Sequence, residues 1–599
     1  MKKFAGWRIV ALLLAMMLGG ALACFCKEPW EFFALHAFDH LDNLDKQAEP
    51  ARLCGVSVLY ATGVGVCQYM GLPEKEPWES IKADTKKYVH HAKSLGIPVV
   101  LGYLCSTSIV NLETFDRNWS EEFRSQFNTP PKDWLQQDEH GKPLPSWYGG
   151  DYNPACMNHP DWRKYQKYMV KMQLELGMDG IFFDNPTVHE KGCYCPCCME
   201  GFLRYLKSEG IEVTDTSLEN LRRLAKGKGE VFKKFRCTIA RDFFAEVRDY
   251  AKSLHPQAII TANNSLNLPE VLFSQCHQYA YNIKEMSKAQ DFVVIEDMRT
   301  APRTTADGKV YEMGPVYSLL NAILGGKPLV AVTIADSDYH TPPNLTNLAI
   351  FEGFAHQTNY MLWPTWQEQY RDKMMQAVRP FVLWLQKHKG LFEQSQPRQD
   401  VLLYFPFEQW VHNKECKELD ITRELRRRNI QFGVASEENF EEAFKNATII
   451  IATHQDFTPS SQKNSILKLC EMHKKHFIEV KNTSFVKEVE KCLTTPSIKL
   501  QSDGSIRGIL RDTPDGVILF LYNLGVEKVS SYEDKVFSVS SVSVSVRIPS
   551  YKVSKITLSI PDREQTIATY ELDQLDPKYS YLKFLIPELP LSTILTVVF

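Results

Sequence analysis

Between about residue 30 and residue 390, short apolar runs alternate with stretches whose apolar residues recur every three or four positions. This is the pattern of strands and helices taking turns in a layered α/β fold. Eight runs read as strands: FFALHAF (32–38), GVSVLYA (55–61), IPVVLGYL (97–104), DGIFFD (179–184), AIITAN (258–263), DFVVIED (291–297), PLVAVTI (328–334) and NYMLWPT (359–365). Ahead of DGIFFD, Trp162, Tyr165, Met169, Met172 and Leu176 fall on one helical face, and Gly177 is placed to stop the helix. Ile239, Phe243, Val247 and Leu254 form a similar face ahead of AIITAN. Eight β/α units predict a (β/α)8 TIM barrel over residues 27–392, with its working residues at the carboxyl ends of the strands. The count rests on FFALHAF being a strand.

The regular alternation is interrupted and then replaced. Residues 105–160 form a long insertion after the third strand, with Trp119, Trp134, Trp147 and Tyr148. Two readings are open: a loop that shapes a substrate cleft, or a packed subdomain whose aromatics are its own core. EQSQPRQ, around 393–399, reads as a linker. A small parallel α/β unit follows over 398–492, with strands at DVLLYFP (400–406) and ATIIIATH (447–454) and helices through ITRELRRRN and 462–474. It has no glycine-rich phosphate loop. From 497 to 599 the period becomes that of strands, in GVILFLYNL, VSVSVRIP, KITLSIP, YLKFLIP and ILTVVF, which predicts a β-sandwich.

The first residues stand apart from this fold. MKKFAGWR is a positive segment, IVALLLAMMLGGALA an apolar core, and Ala21-Leu22-Ala23 a small-residue cleavage site, so residues 1–23 read as a signal peptide. The mature chain is then exported, to a periplasmic, cell-surface or extracellular location. Cleavage after Ala23 would leave Cys24 first, a position open to lipid anchoring. A net charge of −3 over 599 residues, with no basic block, argues against nucleic acid as a partner. Eleven Trp and twenty-five Tyr suit the stacking of sugar faces, though they do not require it.

Within the barrel pattern, Asp184 ends a strand that is apolar on both faces. A carboxylate there must lie at the barrel's mouth or be paired; the plainer reading is an Asp that caps the turn through Asn185 and Pro186. Glycoside hydrolysis needs a second carboxyl group, as acid or as nucleophile. Glu296, ending the sixth strand, is the preferred partner for Asp184. Its neighbour Asp297 has the opposite strand parity, and Asp336 and Asp338 after the seventh strand are competitors. A salt bridge to Arg299 or Arg303 is the structural alternative for Glu296. His36, Asp39, Tyr60, Tyr103, Asn185, Asn263, Asn264 and Trp363, at or beside strand ends, are candidate sugar contacts, with His36, Tyr103, Asn185, Asn263 and Trp363 preferred. No cofactor is needed for such chemistry.

Just downstream, CYCPCC offers Cys193, Cys195 and Cys198 as a C-x-C-x-x-C run, with Cys197 extra. Four thiolates hold tetrahedral zinc, and Cys156, Cys105 and Cys197 are the available fourth donors; Cys156 is preferred. Disulfides are the alternative in an exported protein. A redox role is disfavoured because the run lacks the usual C-x-x-C at a helix start.

The strand-end acid followed by CYCPCCMEGFLRYL resembles glycoside hydrolase family 42 β-galactosidases. There an acid/base ends the fourth strand, and a C-x-C-x-x-C zinc cluster and a Phe-bearing helix follow. That resemblance implies the same three parts, namely barrel, flavodoxin-like trimerisation domain and small β domain, and with them a homo-oligomer. A set of hypothetical glycosyl hydrolases near that family is more similar still, in DEHGKPLP, CMNHPDWRKY and DGIFFDN. Family 42 has Asn-Glu at the fourth strand, whereas this chain has Asp184-Asn185. DGIFFDN also resembles α-fucosidase-like barrels, which implies Asp184 as nucleophile and Glu296 as acid/base. The expectation is a secreted glycoside hydrolase acting on an oligosaccharide or polysaccharide. The alternative is a carbohydrate-binding protein that kept the barrel without the catalysis. An amidotransferase in the α/β unit is disfavoured, since Cys416 and Cys470 lie in charged helical stretches.

Overall fold

The computed structural model describes residues 33–39, 44–61, 76–145, 150–264, 276, 279–297, 310–333, 341–362, 368–406, 416–454, 458–501, 504–530, 532–549 and 552–599. The leader, Cys24, Trp147, Tyr148, Arg299, Arg303, Asp336, Asp338 and Trp363 therefore lie outside the described residues.

Eight parallel strands close into a barrel: β1 (Leu35–Asp39), β2 (Val56–Ala61), β3 (Val99–Cys105), β4 (Gly180–Asp184), β5 (Ile259–Asn263), β6 (Val293–Asp297), β7 (Leu329–Thr333) and β8 (Asn359–Leu362). Each lies within a run marked out in the sequence or ends one residue beyond it. Strand alternation sorts side chains into two cores. Phe38, Val58, Tyr60, Leu101, Phe182, Val294 and Met361 fill the barrel interior. Ile181 and Phe183 point outward, the latter against Phe243 and Phe244 at 5.9 and 5.4 Å, on helix α3 (Gly229–Leu254). A Cβ at Gly180 would sit 2.0 Å from the Ile259 carbonyl oxygen, so only glycine lets β4 and β5 come this close. Helix α1 (Pro160–Glu175) leads into β4 and ends where Gly177 turns to φ +97°. Leu254, assigned to the buried face of α3, is 37% exposed because it ends the helix.

The insertion is a packed layer where it is described. Trp119 and Trp134 are buried and meet Phe115, Phe123, Phe127 and Tyr165 at ring distances of 5.0–6.3 Å. These aromatics are core rather than cleft lining.

The second unit is a parallel sheet of β9 (Val401–Tyr404), β10 (Phe432–Ala435), β11 (Ile449–Thr453) and β12 (His476–Val480), in the order β10-β9-β11-β12. The third is a sandwich of a six-stranded and a four-stranded sheet whose facing side chains, among them Leu510, Leu519, Val544, Val546, Phe584 and Ile586, make a separate core. The outer face of the larger sheet, through Ile518, Phe520 and Tyr522, joins the barrel's own core. There Phe520 packs on Phe392 at 5.2 Å and on Phe354 at 5.9 Å. The expected linker is partly sheet: Gln396 and Pro397 pair with Asp512 and Arg511 of the sandwich. Asp400, where the chain enters the second unit, accepts from the Ser497 backbone N–H at 2.8 Å and hydroxyl at 2.6 Å, where it leaves. No helix among the described residues is long and apolar enough to cross a membrane.

Candidate active site and a four-cysteine cluster

Asp184 is the last residue of β4 and is half-buried. Barrel closure sets β3 and β5 on either side of it, with Cys105 as its partner in register. Both neighbours send a donor to its carboxylate. The Tyr103 hydroxyl donates to Oδ2 at 2.6 Å, and Asn263 Nδ2 donates to Oδ1 at 3.1 Å. Asn185 adds its backbone N–H to Oδ1 at 2.9 Å and its side-chain Nδ2 to Oδ2 at 3.2 Å. Asn185 adopts φ 49°, a left-handed turn that asparagine tolerates, which brings both of its donors back onto the preceding side chain. These two bonds are those of an Asp that caps the turn after its strand. An ionised carboxylate is an acceptor only, and two oxygens ringed by donors suit that form.

The surroundings register this charge. Burial, and then the Asp184 charge, push the Cys105 thiol up to about 12. Tyr281, whose hydroxyl meets Thr187 Oγ1 at 2.6 Å, is held well above the usual phenol value, chiefly by burial and with Asp184 adding. Neither Tyr281 nor Thr187 stood out in the sequence, because neither ends a predicted strand.

The remaining candidates separate. The Glu296 position lies on β6 in register with Val332 and has the parity of Val294, which faces the interior. Asp297 has the other parity. Only the backbones of Asp39, Glu296 and Asp297 are described. His36 was expected to touch sugar, but it is fully buried beside Phe292, ring to ring at 5.1 Å, and pairs through Nδ1 with the Tyr60 hydroxyl at 2.9 Å. Burial lowers it to about 3, so it is a neutral barrel-core side chain closed off from a ligand. Tyr60 belongs to that core too. Asn264 is pinned by Ala262 O, Val294 O and Gln290 Oε1 and is likewise buried. Tyr103 and Asn263 stay at the site, with the Asp184 carboxylate as their partner.

Cys156, Cys193, Cys195 and Cys198 converge. Their sulfurs all lie within 4.8 Å of one another, with Cys156 3.5 Å from both Cys195 and Cys198. All four are buried free thiols, whereas Cys197 is half-buried and outside the group and Cys105 lies beside Asp184. Cys195 caps helix α2 (Pro196–Ser208), its sulfur accepting from the Cys198 N–H at 3.4 Å. The pair is thus a C-x-x-C at a helix start, contrary to the sequence reading, which had no helix boundary to place it on. Burial alone would raise Cys193, but hydrogen bonds from Cys156, Cys195 and Cys198 outweigh it and hold Cys193 well below the usual thiol value. Four sulfurs about 2.3 Å from a tetrahedral centre would be about 3.8 Å apart, so this donor set could hold a metal ion. The cluster clips the insertion, through Cys156, to the segment after β4.

Residues 98–240 match the model of a family described as hypothetical glycosyl hydrolase family 15. No curated protein sequence matches the chain. Solved structures that are similar include α-L-fucosidase isoenzyme 2 from Paenibacillus thiaminolyticus, at 12% identity over 95% of this chain and 99% of that chain, TM-score 0.57. A β-galactosidase from Bacillus circulans sp. alkalophilus is similar at 11% identity over 95% and 99%, TM-score 0.62. A catalytic mutant of a family 42 β-galactosidase from G. stearothermophilus is similar at 12% identity over 94% and 98%, TM-score 0.61. At these identities the likeness is one of fold. With the match over β3, β4 and the cysteine run, the barrel is that of a glycoside hydrolase.

Proposed function

We propose that the protein cleaves O-glycosidic bonds of a glycan with two carboxyl groups, Asp184 as nucleophile and Glu296 as acid/base. The observation that carries this reading is the ring of donors from Tyr103, Asn263 and Asn185 around Asp184 at the carboxyl end of the barrel. Such a ring favours the charged carboxylate that attack requires, and leaves proton donation to the partner. An Asp184 oxygen forms a bond to the anomeric carbon as the bond to the leaving oxygen breaks, and Glu296 gives that oxygen its proton. Water, deprotonated by Glu296, then releases the sugar. The similarity to an α-L-fucosidase and to β-galactosidases supports a carbohydrate substrate without choosing the sugar.

The test is turnover of aryl glycosides and natural oligosaccharides by the purified mature protein, with Asp184→Asn alongside. Wild-type turnover that falls by at least about 10³-fold in the variant supports the reading. Glycan binding without turnover in either protein would make Asp184 a ligand contact in a carbohydrate-binding protein.

Two further parts of the reading rest on chemistry already described. The cysteine cluster fits structural zinc, held by Cys156, Cys193, Cys195 and Cys198. The leader supports export, with Cys24 available for a lipid anchor; mass analysis of the mature N-terminus tests both.

A further inference from the structure

A short hairpin of the third domain, β13 (Val526–Lys528) paired with β14 (Asp534–Val536), leaves the sandwich and lies on the barrel. Its base is fixed on both sides. Val526 is buried and Val536 packs against the barrel's outer core, while Asn523 Nδ2 donates to Phe537 O at 2.7 Å and Pro590 O at 2.9 Å.

Helix α5 (Pro343–Ala355), which follows β7, begins without a cap of its own. Its N-cap residue is Pro342, no side chain accepts there, and its first turn holds no acid. The first amides of a helix need acceptors, and a negative charge beside them is favoured by the helix dipole. Asp534 supplies both from the third domain: Oδ2 accepts from the Leu345 N–H at 2.8 Å and Oδ1 from Asn344 Nδ2 at 2.8 Å. Beside it, Glu533 meets Lys373, 3.5 Å away on helix α6 (Glu368–His388), which follows β8. The hairpin thus grips the amino-terminal parts of two successive barrel helices. In a β/α barrel those parts lie on the side where the strands end, the side of Asp184.

We infer that Asp534 is a positioning residue for the active-site mouth, acting through the amino end of α5. The third domain supplies the cap that the helix after β7 lacks, and so fixes the amino end of α5 on the side of the barrel where the strands end. The kinetic part of this inference rests on the hydrolase reading above; the structural part does not.

The experiment is Asp534→Ala in the full chain, read by amide exchange over 341–350 and by kcat and KM on the best oligosaccharide substrate. Exchange at the start of α5 should rise, exchange over 180–184 should stay as in wild type, and kcat/KM per folded molecule should fall about tenfold. Asp534→Asn, which keeps one acceptor, should recover part of the loss. If Asp534→Ala fails to fold, Asn344→Ala removes one of the two bonds from the barrel side and should move both readouts the same way by less. Unchanged exchange overturns the inference. So does faster exchange with wild-type kcat and KM, which would leave Asp534 a cap and nothing more. A wild type that cleaves no glycoside would sink the hydrolase reading and the kinetic role with it, and the exchange result would still show whether the cap exists.

Discussion

Asp184 and His36 show how little a residue type says until its neighbours are known. Both lie in strands of the same barrel, yet one ends its strand among donors and the other is sealed beneath them. The acid was legible in the sequence because a lone carboxylate closing an apolar run has few places to go. Its donors were legible only as polar residues, since Tyr103 and Asn263 reach Asp184 through closure of β3 and β5 around β4, which no local pattern records. Tyr103→Phe removes a hydrogen bond to a charged group, worth about 1.5–3 kcal/mol. It should lower kcat about 10- to 100-fold while leaving the thermal midpoint within a few degrees, as steady-state kinetics and a melt would show. Glu296→Gln should cost about 10²–10⁴-fold in kcat/KM on substrates with poor leaving groups and much less in kcat/KM on activated aryl glycosides, whose departure needs no proton, although kcat on these still falls because the second step loses its base. Equal losses on both would move the acid role elsewhere.

Cysteine spacing was the clearest element-level signal in the chain, and it placed three donors at the helix cap, in its first turn and two residues ahead of the cap. Cys156 came from farther away, and its arrival depends on the insertion folding back so that its N–H meets Trp134 O at 2.8 Å. If the cluster holds zinc as proposed, elemental analysis should find the metal in the wild type and lose it in Cys198→Ser, with stability lower by a few kcal/mol, since binding energy of such a site is folding energy. Activity per folded molecule should persist, because these thiols tie loops together and take no part in the proposed two-carboxylate steps. Two of the strands missed at this scale share a cause. Arg563–Thr566 and most of Tyr570–Gln574 are exposed sheet-edge segments, so no apolar alternation announces them. Pairing with a neighbour makes them strands.

Domain docking is where sequence patterns have nothing to say, since an apolar position against another domain looks like any other core position. Phe520 alternates like its neighbours but faces the barrel, and Phe520→Ala should cost about 3–5 kcal/mol and loosen the sandwich from Phe354 and Phe392. Acid should stress the whole assembly in a predictable direction. Burial lowers His36 to about 3, and burial with the Arg426 charge lowers His356 well below its ordinary value. Below about pH 6.5 the unfolded chain takes up protons that these folded histidines refuse, so stability falls as pH drops toward 3. At pH 5 His36 contributes on the order of 2 kcal/mol of destabilisation, and His356 acts in the same direction. Melts between pH 7.5 and 4 should show it, and His36→Asn should flatten part of the slope.

The bond between Asp400 and Ser497 has a consequence for how such a chain is assembled over evolutionary time. The segment before Asp400 already belongs to the sandwich, so the parallel α/β unit is topologically a parenthesis opened and closed at one point of another domain. A module joined through two touching ends can be exchanged, lost or acquired without re-threading what surrounds it. In this chain the covalent path would let the α/β unit be exchanged at that point, while Val401, Leu403, Ile449 and Ile451, packed in the same core as the barrel, are what a replacement would have to match.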